Sequence, residues 1–233
     1  MITQPIDPGL GSVALIDYWG SDERIIEAAR MSTGKGCQGW VNEDGTERDT
    51  KLLRYLWEHQ HHTPFEMAGM TVEVQAPIFV LREWQRHRTQ SYNEMSGRYT
   101  RLPKRAYVPT IERLMGAKQS SKNKQGSEEG FSETEARAVQ AAIITAHNRT
   151  YTEYEGLLAK GVAREIARLV LPVAQYSRMR ASANLRNWLH FLDLRTAPDA
   201  QYEIRVYAEA IGELVDECFP HTARLWREGV EAR

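Results

Sequence analysis

Apolar positions along this chain repeat with two periods. In "GMTVEVQA" (69–76), Met70, Val72, Val74 and Ala76 alternate with Thr71, Glu73 and Gln75, which predicts a strand with one buried face. "SVALIDYWG" (12–20) predicts a second short strand. Elsewhere the period is helical. "SDERIIEAARM" (21–31) predicts a helix with Ser21 as N-cap and acids in its first turn. "DTKLLRYLWEHQHH" (49–62) predicts another, capped by Asp49, with Leu52, Leu53, Leu56 and Trp57 as its apolar stripe. Pro77 sits where a third would begin, with "PIFVLREWQRHR" as its body. "SYNEMSGRY" (91–99) reads as a loop, as does the Gly-rich stretch 33–48.

The second half is helical throughout. Ser132 with Glu135 forms a capping box that opens a long helix running to about Lys160 and closed by Gly161. "VAREIARLVLP" (162–172) predicts a shorter helix stopped by Pro172, and 184–195 and 199–219 continue the pattern. Residues 116–132, polar and rich in Gly and Ser, read as a flexible surface excursion. The expected class is α+β: one domain over 1–233, with a strand-bearing N-terminal half and a helical C-terminal half sharing a core.

Charge changes this picture little. Thirty Lys and Arg stand against 31 Asp and Glu in 233 residues, which argues against a general nucleic-acid binder. The two cysteines, Cys37 and Cys218, lie far apart, which suggests a reducing compartment and no cysteine-type zinc site. The N-terminus has no basic and apolar regions of a targeting segment, and no apolar run reaches membrane length. The expectation is a soluble cytoplasmic protein with neither membrane nor nucleic acid as partner.

Several motifs tempt. "GKGCQG" (34–39) and "GLGSVA" (9–14) fit a dinucleotide fingerprint by letter, but neither follows a predicted strand and opens a helix. Cys37 lacks a local base that would make it a nucleophile. His59 and His62 could share a helical face as a metal pair, with Glu66 near, yet no third clustered ligand accompanies them. A metal-dependent hydrolase on these histidines is therefore the weaker alternative, and no metal is expected.

The cations are more informative. Arg86, His87 and Arg88 follow an apolar segment, Arg168 sits among Ile166, Leu169 and Val170, and Arg195 ends "NWLHFLDLR". Each has a structural explanation alone: a cation at a helix C-terminus, or an ion pair with an acid such as Glu165. Together they need several anionic partners, and phosphate oxygens match guanidinium forks. Gly97 would let backbone approach a ligand, and Ser96 reads as a ligand-binding hydroxyl rather than a nucleophile on His87. A salt-bridged surface, a phosphate-binding nucleic-acid module and a site for a phosphate-bearing small molecule remain open on these residues alone.

Arg86-His87-Arg88, seven residues, then Ser96 resembles the signature of the flavin-dependent thymidylate synthases. "HQHHTPFE", "APIFV", "REIARLVLP", "NLRNWLHFLDLR" and "AQYEIR" resemble further family segments in the same order, over about residues 12–220 without the 116–132 excursion. The resemblance implies methylation of dUMP to dTMP, with methylenetetrahydrofolate as carbon donor, NADPH as reductant and bound FAD. It also implies a homotetramer with active sites between subunits, and no cysteine nucleophile. By position, Ser32, Thr63, Arg86, His87, Arg88, Glu94, Asn184, Arg186 and His190 are implied flavin contacts. Glu83, Arg86, Glu94, Met95, Ser96, Gly97, Arg98, Arg168 and Arg195 are the implied dUMP site, with Arg195 as the catalytic cation against the uracil. His61 and Tyr99 are implied pocket residues near flavin and folate. The chain departs from the pattern at Asp199, where many relatives carry His.

Overall fold

The strand read at 69–76 forms the middle of the sheet. The computed structural model describes residues 3–6, 10–121, 126–128 and 130–231. In chain order the elements are β1 (Thr3–Ile6), β2 (Gly11–Trp19), α1 (Asp22–Arg30), α2 (Asp49–Glu58), β3 (Gly69–Pro77), α3 (Ile78–Trp84) and β4 (Ser91–Glu94). Next come α4 (Ile111–Met115), β5 (Lys118–Gln119), β6 (Ser127–Glu128), α5 (Glu133–Ala159) and α6 (Arg164–Ala167). β7 (Tyr176–Asn184), α7 (Leu185–Arg195), α8 (Tyr202–Cys218) and α9 (Pro220–Glu231) complete the fold. The main sheet is antiparallel, in the order β1-β2-β3-β7-β4.

One face of this sheet is the core. Met70, Val72, Val74 and Ala76 of β3, with Met179 and Ala181 of β7, are fully buried beneath α3 and α7, while α8 packs on β1 and β2. Trp84 of α3 stacks on Phe191 of α7 at 4.6 Å between centroids, and Trp188 Nε1 donates to the Met70 carbonyl at 3.0 Å. The other face is polar: Thr71 Oγ1 donates to Ser182 Oγ at 2.9 Å, and Arg180 Nε meets Glu73 Oε2 at 3.1 Å. Such one-sided burial is what antiparallel sheets tolerate. The turn into β2 needs Gly11, whose φ is +129° and whose missing Cβ makes room for the Gln75 carbonyl and the Tyr207 hydroxyl.

The α+β class expected from the pattern is therefore correct, but the helical half is not purely helical. β7 crosses the sheet between β3 and β4, so both halves of the chain build it. "SYNE", expected as loop, is the edge strand β4, paired from Ser91↔Ser182 to Glu94↔Met179. α2 stops at Glu58 rather than 62, because Gln60 takes the left-handed conformation at φ 55°. The Gln60 N–H then reaches the Trp57 carbonyl and the His61 N–H the Leu56 carbonyl, a Schellman ending. Asp49 does not cap this helix. Fully buried, it pairs with Arg30 and accepts the Gln38 N–H at 2.6 Å.

α3 ends at Trp84, which leaves Arg86, His87 and Arg88 in the following turn. The helix expected over 162–172 is a single α-turn, α6, followed by a 3-10 turn at 168–170. The capping box of α5 is present, and Gly161 at φ +80° follows the helix end. Within the 116–132 excursion, β5 and β6 pair in a short exposed ladder; residues 122–125 and 129 lie outside the described residues.

α9, absent from the sequence expectation, is capped at its start by a carboxylate from α1. Asp22, buried at the start of α1, accepts the His221 N–H at 2.8 Å, the Thr222 N–H at 3.1 Å and the Thr222 hydroxyl at 2.6 Å. These backbone donors are orphans of a helix start, so Asp22 caps α9 from a distant element. Asp22→Ala is expected to lower unfolding free energy by about 1–2 kcal/mol, as loss of a cap does, read as a shift in the urea midpoint.

Candidate active site

The predicted residues assemble in three groups. The first lies where the last turn of α7 meets the end of α3. Arg195 donates through Nε to His87 Nε2 at 2.9 Å, while its Nη1 pairs with Glu83 Oε1. Glu83 Oε2 faces Arg86 Nη1 at 3.6 Å, so one carboxylate holds two arginines. His87 is buried, with its ring edge-on to Phe191 at 4.9 Å and near His190 at 6.2 Å. Burial, with the nearby charges of Arg195 and His190, pushes the His87 imidazole down to about 4 against a smaller opposing pull from Glu83. The ring is thus neutral, and because Nε2 accepts from Arg195 its proton sits on Nδ1. Tyr92, whose hydroxyl burial pushes up to about 12, donates to the His87 carbonyl at 2.7 Å.

Glu83, Arg86 and Arg195 line a cleft of about 800 Å³ with Leu194, Asp199 and Tyr202. Asp199, the departure from the family pattern, thus faces the same space as Arg195.

The second group follows β4. Tyr92 and Glu94 point to the helix side, and Glu94 Oε2 accepts from Gln85 Nε2 at 3.3 Å. The Met95 N–H reaches the Arg178 carbonyl at 2.8 Å, which extends the ladder by one residue. The chain then turns: Ser96 Oγ accepts the Arg98 N–H at 3.2 Å, and no hydrogen bond joins Ser96 to His87 among the described residues. A Cβ on Gly97 would stand 3.2 Å from Arg168 Cδ and 3.2 Å from Leu102 Cδ1. That glycine makes room for the Arg168 stem. Glu165, considered as a partner for Arg168, pairs with Arg98 at 3.2 Å instead. Arg168 and Arg88 are exposed, with no ion pair to a described residue. Tyr99 is also exposed, beyond this turn.

The third group surrounds the end of α2 and the start of α7. Asn184 caps α7 by accepting the Asn187 N–H at 3.0 Å, and Arg186 Nη1 meets Glu66 Oε1 at 2.6 Å. Thr63 opens a short 3-10 turn (Thr63–Met67), while Ser32 lies in another (Met31–Thr33) directly after α1. His61, His62, Thr63, Met67 and Arg186, with Met31, line a cleft of about 850 Å³. His190 and Arg186 also border a cavity of about 310 Å³ with Trp57 and His62. The left-handed Gln60 turns His61 into this cleft, whereas His59 stacks back on Tyr55 at 4.0 Å. His59 and His62 therefore share no helical face, and no metal-holding cluster of His, Cys, Asp and Glu occurs among the described residues. The cleft suits a flavin dinucleotide: Ala28, Ala29, Met31 and Met67 offer apolar surface to a ring, and His61, Thr63 and Arg186 offer polar groups at its rim.

Neither cysteine is activated. Cys37 Sγ donates to Asp49 Oδ2 at 3.2 Å and burial pushes its thiol up, as it pushes Cys218 up to about 11. "GKGCQG" directly follows a helix and a 3-10 turn rather than a strand.

The chain matches the model of the family described as thymidylate synthase complementing protein over residues 14–221. The chain belongs to that family. It is 46% identical over 210 residues to the flavin-dependent thymidylate synthase of Thermus thermophilus, covering 90% of this chain and 73% of that one. It is 42% identical over 210 residues to the flavin-dependent thymidylate synthase of Wolbachia pipientis wMel, covering 90% and 71%. Among solved structures, a UMP/dUMP methylase from Streptomyces cacaoi bound with 5-Br dUMP superposes with a TM-score of 0.82 at 36% identity, covering 93% of this chain and 94% of that one.

In this family member His190, beside His87, joins the third group to the first, while the Arg98–Arg168 group stands apart. Asn184 ends β7, whereas Met95 pairs at Arg178, six residues back, or roughly 20 Å along a strand. No hydrogen bond or ion pair joins the Arg98–Arg168 group to Arg195 among the described residues. Sequence reasoning also missed Tyr92, which fixes the Arg86–Arg88 turn. Its signal was the period-two alternation of Tyr92 and Glu94 in a stretch too polar to read as strand.

Proposed function

We propose that this chain catalyses the reductive methylation of dUMP to dTMP, with methylenetetrahydrofolate as carbon donor, FAD as cofactor and NADPH as reductant. The observation that carries the reading is the fixed guanidinium of Arg195, held by Glu83 and a neutral histidine on the wall of a polar cleft. A pyrimidine ring placed against it gains negative charge as its carbon becomes nucleophilic, and a preorganised cation stabilises that charge without reorganising. Arg98 and Arg168 bind the phosphate of dUMP, with Ser96 and the Gly97 backbone positioning the nucleotide. Glu83 and Arg86 close its other side. Ser32, Thr63, Arg88, Glu94, Asn184, Arg186 and His190 hold the flavin, with His61 and Tyr99 beside the flavin and folate. When bound, FAD supplies the hydride that reduces the transferred carbon. No cysteine is required, in keeping with two thiols held in their protonated form.

The separation of the Arg98–Arg168 group from Arg195 and from Asn184 supports an active site completed between subunits of a homotetramer, each chain contributing one catalytic domain over 1–233. Among the described residues no helix is long and apolar enough to cross a membrane, which is compatible with work in the cytoplasm.

The test is direct: protein as purified is expected to be yellow, to be bleached by NADPH, and to form dTMP from dUMP and methylenetetrahydrofolate. A colourless protein whose affinity for DNA or RNA falls steeply with salt would overturn the reading. Subunit sharing has its own test. Arg195→Ala and Arg168→Ala subunits, each nearly inactive alone, are expected to regain part of wild-type activity when denatured and refolded together. Continued inactivity of a refolded mixed oligomer would mean that each site is built from one chain.

A further inference from the structure

The arrangement at the end of α7 gives His87 a task beyond the flavin contact carried over from the family. Arg195 has N–H groups on three nitrogens. Nε is taken by His87 Nε2 at 2.9 Å and Nη1 by Glu83, while Nη2 has no partner among the described residues, on a side chain that lines the cleft. His87 itself cannot drift. Its ring is buried against Phe191, its carbonyl receives the Tyr92 hydroxyl at 2.7 Å, and its N–H bonds to the Trp84 carbonyl at 3.0 Å.

We infer that His87 is a positioning residue for Arg195: its unprotonated Nε2 anchors the guanidinium Nε–H, so that the Nη2 edge is presented to the nucleotide. This rests on the role proposed for Arg195. The titratable and charged groups around the ring are Arg195 and His190 from α7, and Glu83 from α3. Arg195 and His190 favour the neutral ring, and the carboxylate, already shared by Arg195 and Arg86, opposes them only in part. A protonated ring would offer Arg195 a donor and a like charge, and the anchor would be lost. The sequence pattern gives no hint of this bond, because 108 positions separate the two residues.

The experiment uses flavin-loaded protein and reads dUMP affinity from the change in flavin absorbance, with dTMP formation alongside. His87→Leu is expected to cost about 10–100-fold, the range of a hydrogen bond to a charged group. His87→Gln, whose amide oxygen reaches the Nε2 position, is expected to recover to within a few-fold of wild type. His87→Asn, whose shorter amide stops at the Nδ1 position, is not. In an Arg195→Ala background, His87→Leu is expected to weaken dUMP no further. Equal loss in the Gln and Leu variants, or an undiminished second loss in the Arg195→Ala background, would overturn the proposal. Should His87→Leu fail to fold, the contrast between Gln and Asn decides it. Wild-type protein that forms no dTMP would sink the proposed reaction, a different outcome from any of these.

Discussion

Arg195→Ala is expected to lower dTMP formation by about 10²–10³-fold while FAD stays bound, the loss that follows removal of one preorganised group at a developing charge. Arg195 ends α7 with most of its side chain shielded, 16% of it exposed, so its charge acts where water screens little. Truncation also leaves Glu83 with only the longer contact to Arg86. Arg195→Lys separates these effects: it keeps the charge but cannot serve both His87 and Glu83 in the fork geometry of a guanidinium, so its activity should fall between the two. Steady-state rates with a flavin spectrum of each variant check this. Cys37→Ala and Cys218→Ala should turn over as wild type does. Loss of product in either cysteine variant, or normal turnover in Arg195→Ala, would remove the basis of the mechanism.

The second large effect is on stability. His87 in the folded chain titrates at about 4, against 6.5 for an unperturbed imidazole. Between those values the unfolded chain binds more protons than the folded one, so stability rises with pH across the window. The contribution is fully present above about pH 6.5 and is lost as pH falls toward 4. At pH 5 the linkage amounts to about 2 kcal/mol, or about 4–8 °C in Tm for a chain of this size. Melting curves of wild type and His87→Gln at pH 7.5 and 5 should therefore diverge, the wild type losing that much more. The lowered titration of His147, caused by burial, is common to both proteins and cancels. Parallel loss in the two would mean that His87 gains its proton as readily folded as unfolded.

The elements legible in the sequence are those whose chemistry is local. Ser21, the Ser132–Glu135 box and Gly161 mark helix ends through bonds within a few residues, and each does so in the structure. β3 announced itself because Met70, Val72, Val74 and Ala76 alternate with Thr71, Glu73 and Gln75. β7 did not: its buried positions are largely Ala and Ser, and its open positions include Arg178 and Arg180, which suit a strand only once β3 and β4 flank it. Asp49 has the look of a cap, and nothing nearby reveals that Arg30 and the Gln38 amide claim it. At the site the membership of the cationic set was readable from the ordered family segments. Its division was not, since the distance between Asn184 and Arg98 depends on which strand the edge strand joins.

That edge strand also turns the spacing of the signature into a matter of parity. Tyr92 and Glu94 face the helices while Ser91 and Asn93 lie level with Ser182 and Arg180 on the opposite, polar side. In a pleated strand one added or deleted residue exchanges the two sets. The number of residues between Arg88 and Ser96 therefore works as a counting rule: an odd change would swing the tyrosine that steadies the His87 turn, and the carboxylate beside it, through the sheet to its far side.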